Sequence, residues 1–294
     1  MGKVYEALAR AEMERNQAES DGATESHART NGSNGKMGSD DFDFLQYSLN
    51  TPPSYEIDRN NIEGVSTGIL DPGEFRPARE VAIDQSRIDP HLIAFYDFDP
   101  RAAEQYLKLA IAMISGKEER PLRRVLIASA QQGEGRTSVA LNLACLLAQA
   151  RKRVLVIDTD MRRPSIERLL AIETETGLGE VIEQNLPMES AAVRVLPYDF
   201  IVLPARERVE NSAELLASTW FQEALFKLDP HFDFILFDSS PLLMTGDAQL
   251  LVRLTDATVL VIRTGKISSA QMARAISPLK EENIFGVVLN RADR

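Results

Sequence analysis

Apolar residues are sparse and unpatterned over the first part of the chain, and from about residue 88 they gather into short dense runs separated by amphipathic stretches. Arg124–Ser129, Val154–Asp158, Phe234–Asp238 and residues 258–263 are brief, rich in strand-forming side chains and closed by polar residues, which predicts four buried β-strands. Phe200–Leu203 and residues 286–290 are weaker runs of the same kind. Between them, residues 138–150, 213–227 and 268–280 carry apolar positions at helical period. An earlier stretch, residues 102–114, sets Tyr106, Leu109, Ala110 and Met113 on one helical face. Strands alternating with helices predict an α/β fold, doubly wound, with a mostly parallel sheet and helices on both faces.

The remainder of the chain reads differently. Residues 4–15 place Val4, Tyr5 and Leu8 at helical spacing, which predicts a short amphipathic helix. The segment that follows is rich in Ser, Gly, Asn, Asp and Glu, and Pro52-Pro53, Asp71-Pro72-Gly73 and Arg76-Pro77 favour turns. The expected organisation is therefore a short N-terminal helix over 1–15, a disordered or weakly ordered linker over 16–87, and one compact domain over 88–294. With 33 Lys and Arg against 44 Asp and Glu, the formal net charge is −11, and no long basic block is present, so nucleic acid is not the expected partner. A single cysteine, Cys145, cannot form an internal disulfide, and three scattered histidines give no zinc-ligand spacing. These features point to the cytoplasm. No apolar run approaches the roughly 18 residues of a membrane span, so work at a membrane would need recruitment by another chain.

The chemistry lies just past the predicted strands. Ala130-Gln131-Gln132-Gly133-Glu134-Gly135-Arg136-Thr137 joins a strand to a helix and nearly matches G-x-x-x-x-G-K-[ST]. Its glycines let backbone N–H groups face phosphate oxygens, the next helix offers its positive end, and Thr137 is spaced to ligate Mg²⁺. Ala130 replaces the first Gly, and Arg136 stands at the Lys position. Asp158-Thr159-Asp160 and Asp238-Ser239-Ser240-Pro241 follow two other strands. Ligands bind outside the carboxyl ends of parallel strands, so Asp158, Asp160 and Asp238 are expected to converge on the loop, where carboxylates can hold a metal or accept a hydroxyl proton. Any one such Asp could equally cap a helix.

Together these motifs resemble the bacterial tyrosine kinases, or BY-kinases, of the capsular exopolysaccharide family within the MinD/ParA-type P-loop ATPases. The similarity covers roughly residues 88–290, and it extends to Gly2-Lys3-Val4-Tyr5-Glu6-Ala7-Leu8, Asn211-Ser212-Ala213-Glu214-Leu215-Leu216 and Asp247. The resemblance implies ATP and Mg²⁺ as cofactors. It implies that Gln132, Gly133, Glu134, Gly135, Arg136, Thr137 and Ser138 surround the phosphates, and that Asn290 reads the adenine edge. It implies Thr137, Asp158 and Asp238 as metal-holding residues, with Asp158, Asp160 and Arg136 serving transfer to a tyrosine hydroxyl. The implied partner is a transmembrane polysaccharide co-polymerase, or chain-length regulator, that recruits the kinase to the inner face of the plasma membrane.

Three departures from the family pattern bear on activity. Arg136 is a planar fork where a compact ammonium is usual. The family's Glu-x-x-Arg-x-x-Arg reads Glu104, Leu107 and Ala110, so a homo-oligomer would need contacts other than a charge-paired ring. A tyrosine-rich C-terminal tail is not found before Arg294, and the last tyrosine is Tyr198; Tyr47 and Tyr55 in the linker are the alternative acceptors. Besides the kinase, the sequence is compatible with a catalytically weak nucleotide-binding regulator of a polysaccharide assembly complex, or with a MinD/ParA-like ATPase.

Overall fold

The computed structural model describes residues 75–96, 100–116, 122–279 and 283–291. Its strands are β1 (Arg79–Ala82), β2 (Arg124–Ser129), β3 (Val154–Asp158), β4 (Val193–Leu196), β5 (Phe200–Leu203), β6 (Phe234–Asp238), β7 (Ala257–Arg263) and β8 (Ile284–Asn290). The helices are α1 (Pro100–Ser115), α2 (Arg136–Gln149), α3 (Ile166–Leu170), α4 (Leu178–Glu183), α5 (Ser212–Ala217), α6 (Thr219–Leu228), α7 (Asp247–Val252) and α8 (Ser269–Ile276). All eight strands join one sheet in the order β1-β4-β5-β3-β6-β2-β7-β8. Neighbours pair in parallel except β4 with β5.

The central strands are buried on both faces, which is why they read as continuous apolar runs. Successive residues of β2 alternate between two cores: Leu126 and Ala128 join the cluster with Phe221 and Phe237, while Val125 and Ile127 join the one with Leu141 and Phe200. Helix α2 is buried from Val139 to Leu147, Cys145 included. Its one interior amide, Asn142, is satisfied by the Ala94 N–H at 2.8 Å and the His91 carbonyl at 3.0 Å. On α1, Ala110 and Met113 are buried. Ala110, one of the two positions that an interfacial arginine takes in the resemblance, therefore faces the core.

The structure departs from the sequence expectations in three places. The compact domain begins before residue 88: β1 pairs with β4, Arg79 opposite Val193, and Phe75 is buried with its ring 5.1 Å from that of Phe232. Strand β1 is held by backbone pairing at the sheet edge and is mostly exposed, so it has no apolar signature. Strand β4, whose buried and half-buried residues alternate, was not expected either. The single helix expected over 213–227 is two, because Ser218 is extended (ψ 144°) and its Oγ accepts the Phe221 N–H at 3.2 Å as an N-cap. The helix expected over 4–15, most of the linker, Tyr47 and Tyr55 lie outside the described residues.

Candidate active site

The chain leaves β2 at Ser129 and turns through Ala130 to Gly135 into α2. Gly133 (φ 73°) and Gly135 (φ 98°) are left-handed, a conformation that suits glycine. Gly135 is required for a second reason: a Cβ there would lie 2.1 Å from Nδ2 of Asn290. That amide, at the end of β8, donates to the Glu134 carbonyl at 2.8 Å. The Glu134 carboxylate turns inward, accepting the Gln131 N–H at 2.6 Å and the Arg263 N–H at 3.3 Å. Its side chain therefore ties the loop to β7, which leaves only its backbone to meet a phosphate.

Arg136 is also turned inward, with 6% of its surface exposed. Nε donates to the Ser239 carbonyl at 2.6 Å, Nη1 to the Gln131 carbonyl at 3.0 Å and to the Ser129 hydroxyl, and Nη2 to Oδ2 of Asp160 at 3.2 Å. Four of its five N–H groups thus clamp the ends of β2, β3 and β6 together. Arg162 does not take over its place at the loop: it pairs with buried Asp247 at 3.1 Å, which also accepts from Ser212 Oγ at 2.7 Å.

The three expected carboxylates do meet at this edge. Asp158 and Asp238 are register partners on adjacent strands. Asp158 accepts the N–H groups of Asp160 (3.2 Å), Ser165 (3.1 Å) and Ile166 (3.3 Å), so the capping role open to such a residue is one it fills. Both oxygens of Asp238 are buried with no hydrogen-bond partner. Burial and the neighbouring Asp238 charge push the Asp158 carboxyl well above its ordinary range, against the two helix N–H groups. Burial also raises Asp160, opposed by Arg136. Burial pushes Asp238 up to about 7, although the Arg136 charge and the Thr137 hydroxyl, which stands near but beyond hydrogen-bond distance, pull the other way. Thr137, on the first turn of α2, accepts from Ser165 Oγ at 2.8 Å, and Ser138 beside it is half-buried.

Two basic residues at the loop were missed from the sequence. Arg163 Nη1 donates to Oε1 of Gln132, and Lys266 Nζ donates to the Gln132 carbonyl. Both follow a strand end within a few residues, in Asp160-Met161-Arg162-Arg163 and Arg263-Thr264-Gly265-Lys266, which is the signal that could have found them.

A glycine-bent loop between a central parallel strand and a buried helix, flanked by aspartates at neighbouring strand ends, defines a P-loop nucleotide-binding fold. A family model described as ParA, NUBPL iron-transfer P-loop NTPase, matches residues 122–292. Tyrosine-protein kinase YwqD of Bacillus subtilis strain 168 is 33% identical over 207 residues, 70% of this chain and 87% of that protein. The tyrosine kinase domain of BceF superposes with a TM-score of 0.60 at 31% identity, over 69% of this chain and 83% of that domain. The succinoglycan biosynthesis transport protein ExoP of Rhizobium meliloti strain 1021 is 31% identical over 189 residues, 62% of this chain but 23% of ExoP. The chain belongs to the bacterial tyrosine kinases of the ParA-like P-loop NTPase family.

Proposed function

We propose that the protein is a Mg-ATP-dependent protein tyrosine kinase that works beside a transmembrane polysaccharide co-polymerase at the cytoplasmic face of the plasma membrane. The observation that carries this reading is the pair of orphaned, buried Asp238 oxygens beside the Gly133 to Thr137 loop. A carboxylate without donors suits a hard divalent cation. Among the described residues no group of three or more His, Cys, Asp or Glu forms a metal cage. That agrees with Mg²⁺, which keeps waters and phosphate oxygens as ligands and takes few from protein. Asp238 and Thr137 would hold it, with Asp158 behind them, and bound Mg²⁺ would neutralise charge on the phosphates.

The chain's own residues would then do three things. Backbone N–H groups of Gln132 to Thr137, with Ser138, orient the phosphates. Asn290, whose nitrogen is committed to Glu134, would read the adenine edge through its amide oxygen. Asp160, held by Arg136 through Oδ2, accepts the tyrosine proton, and its raised pKa makes it a better proton acceptor near neutral pH. Membrane recruitment rests on the likeness to ExoP, a transport protein of which this chain spans less than a quarter.

Incubating the full chain with Mg-ATP and the co-polymerase's cytoplasmic segment is expected to yield phosphotyrosine that disappears in Asp160→Asn, whose amide oxygen can still accept from Arg136 Nη2, in a variant that remains folded by thermal melting. The internal commitments of Arg136 favour a second reading, a nucleotide-binding regulator with slow transfer. It predicts ATP-dependent docking to the same segment with no phosphate added.

A further inference from the structure

The loop's own cation is folded inward, yet a second cation stands at its mouth. Lys266 lies in the β7–α8 connection, just after Gly265, which is left-handed at φ 73°. Its ammonium donates to the carbonyl of Gln132 and would sit 3.2 Å from any Cβ placed on Gly133. Arg163 approaches the same Gln132 from the β3–α3 connection, through the side-chain oxygen. Lys266 is exposed, and among the described residues its partner is this one neutral carbonyl, with no carboxylate in ion-pair range. A neutral carbonyl holds this ammonium at the loop, and a phosphate oxygen is a stronger acceptor for it than a carbonyl.

We propose that Lys266 is the mobile phosphate-binding lysine of this site. It supplies from β7 the point charge that Arg136, committed to Asp160 and Ser239, does not deliver from the loop. The two cations divide the work: the rigid guanidinium fixes the strand ends, and the flexible ammonium follows the nucleotide's outer phosphates. The proposal rests on the reading of the loop as an ATP site. Because ATP carries one more negative charge than ADP, Lys266 contributes more to ATP and so favours the loaded form.

The test is calorimetric binding of Mg-ATP and Mg-ADP to the full chain and to Lys266→Gln and Lys266→Arg, with melting curves to confirm the fold. Lys266→Gln is expected to weaken Mg-ATP by about tenfold, the size of one charge-assisted hydrogen bond, with a smaller loss for Mg-ADP. Lys266→Arg should restore most of the difference. Wild-type affinity in Lys266→Gln would overturn the proposal and leave the kinase reading intact. A wild-type chain that binds neither nucleotide would overturn both.

Discussion

Asp158 and Asp238 are the same residue at the same place in the sheet, opposite each other at the ends of β3 and β6, and both are buried. One accepts three backbone N–H groups, and the other has no donor within hydrogen-bond distance. After Asp158 the chain doubles back, so the N–H groups of residues 160, 165 and 166 point at its oxygens. After Asp238 it runs on through Ser239-Ser240-Pro241. There the Ser239 hydroxyl donates to the Ile127 carbonyl at 3.0 Å, the Ser240 hydroxyl pairs with Thr245, and Pro241 has no N–H to give. A strand ending in Asp is thus one pattern with two outcomes, and the following half-dozen residues decide which. Asp158 builds the β3–α3 turn, whereas Asp238 keeps both oxygens for the cation proposed above.

The difference can be sharpened by substitution. The largest effect belongs to Asp238→Asn, which should slow phosphoryl transfer by at least about a hundredfold, a barrier rise of about 2.7 kcal/mol, without lowering stability. A variant that keeps wild-type turnover would break the assignment of Asp238. Asp158→Ala should do the reverse in stability: three backbone donors lose their acceptor, and denaturant unfolding should show a loss of about 2 kcal/mol. Equal stability losses in the two variants would erase the contrast.

A subtler effect follows from protonation. Asp238 titrates at about 7 in the folded chain against 3.8 as the ordinary value, so between these pH values the native carboxyl holds a proton that the unfolded chain has released. Stability must therefore fall as pH rises from about 4 to about 7, and Asp158, shifted the same way, adds to the slope. Melting temperatures measured across this window should decline in the wild type and decline less in Asp238→Asn. The smallest expected change is in Ser165→Ala, which keeps the N–H to Asp158 and removes only the 2.8 Å bond to Thr137; a loss of about 1 kcal/mol or less is expected by thermal melting.

Much of this molecule could be read before it was seen. Strands buried on both faces announce themselves as apolar runs, and β2, β3, β5 and β6 begin and end where the sequence places them. The convergence of Gly133 to Thr137 with Asp158, Asp160 and Asp238 follows from parallel-strand geometry alone. The β1–β4 side of the sheet escapes such reading, because these two short strands are fixed by backbone pairing and by what lies beside them. The inward turns of Glu134 and Arg136 escape it too, since both depend on distant partners: the Arg263 N–H for one, and Ser239 and Asp160 for the other. Lys266 was passed over because a lone lysine after a strand looks like any solvated charge until the fold carries it to the loop.

The account turns on whether this carboxylate edge transfers phosphate. Intact-mass analysis and tyrosine mapping of the full chain after incubation with Mg-ATP and the co-polymerase's cytoplasmic segment, wild type beside Asp238→Asn, tests that directly. Phosphate on tyrosine in the wild type and none in a variant that melts no lower is the predicted result. A wild type that binds Mg-ATP and transfers nothing, or a variant that transfers as well as the wild type, would contradict it.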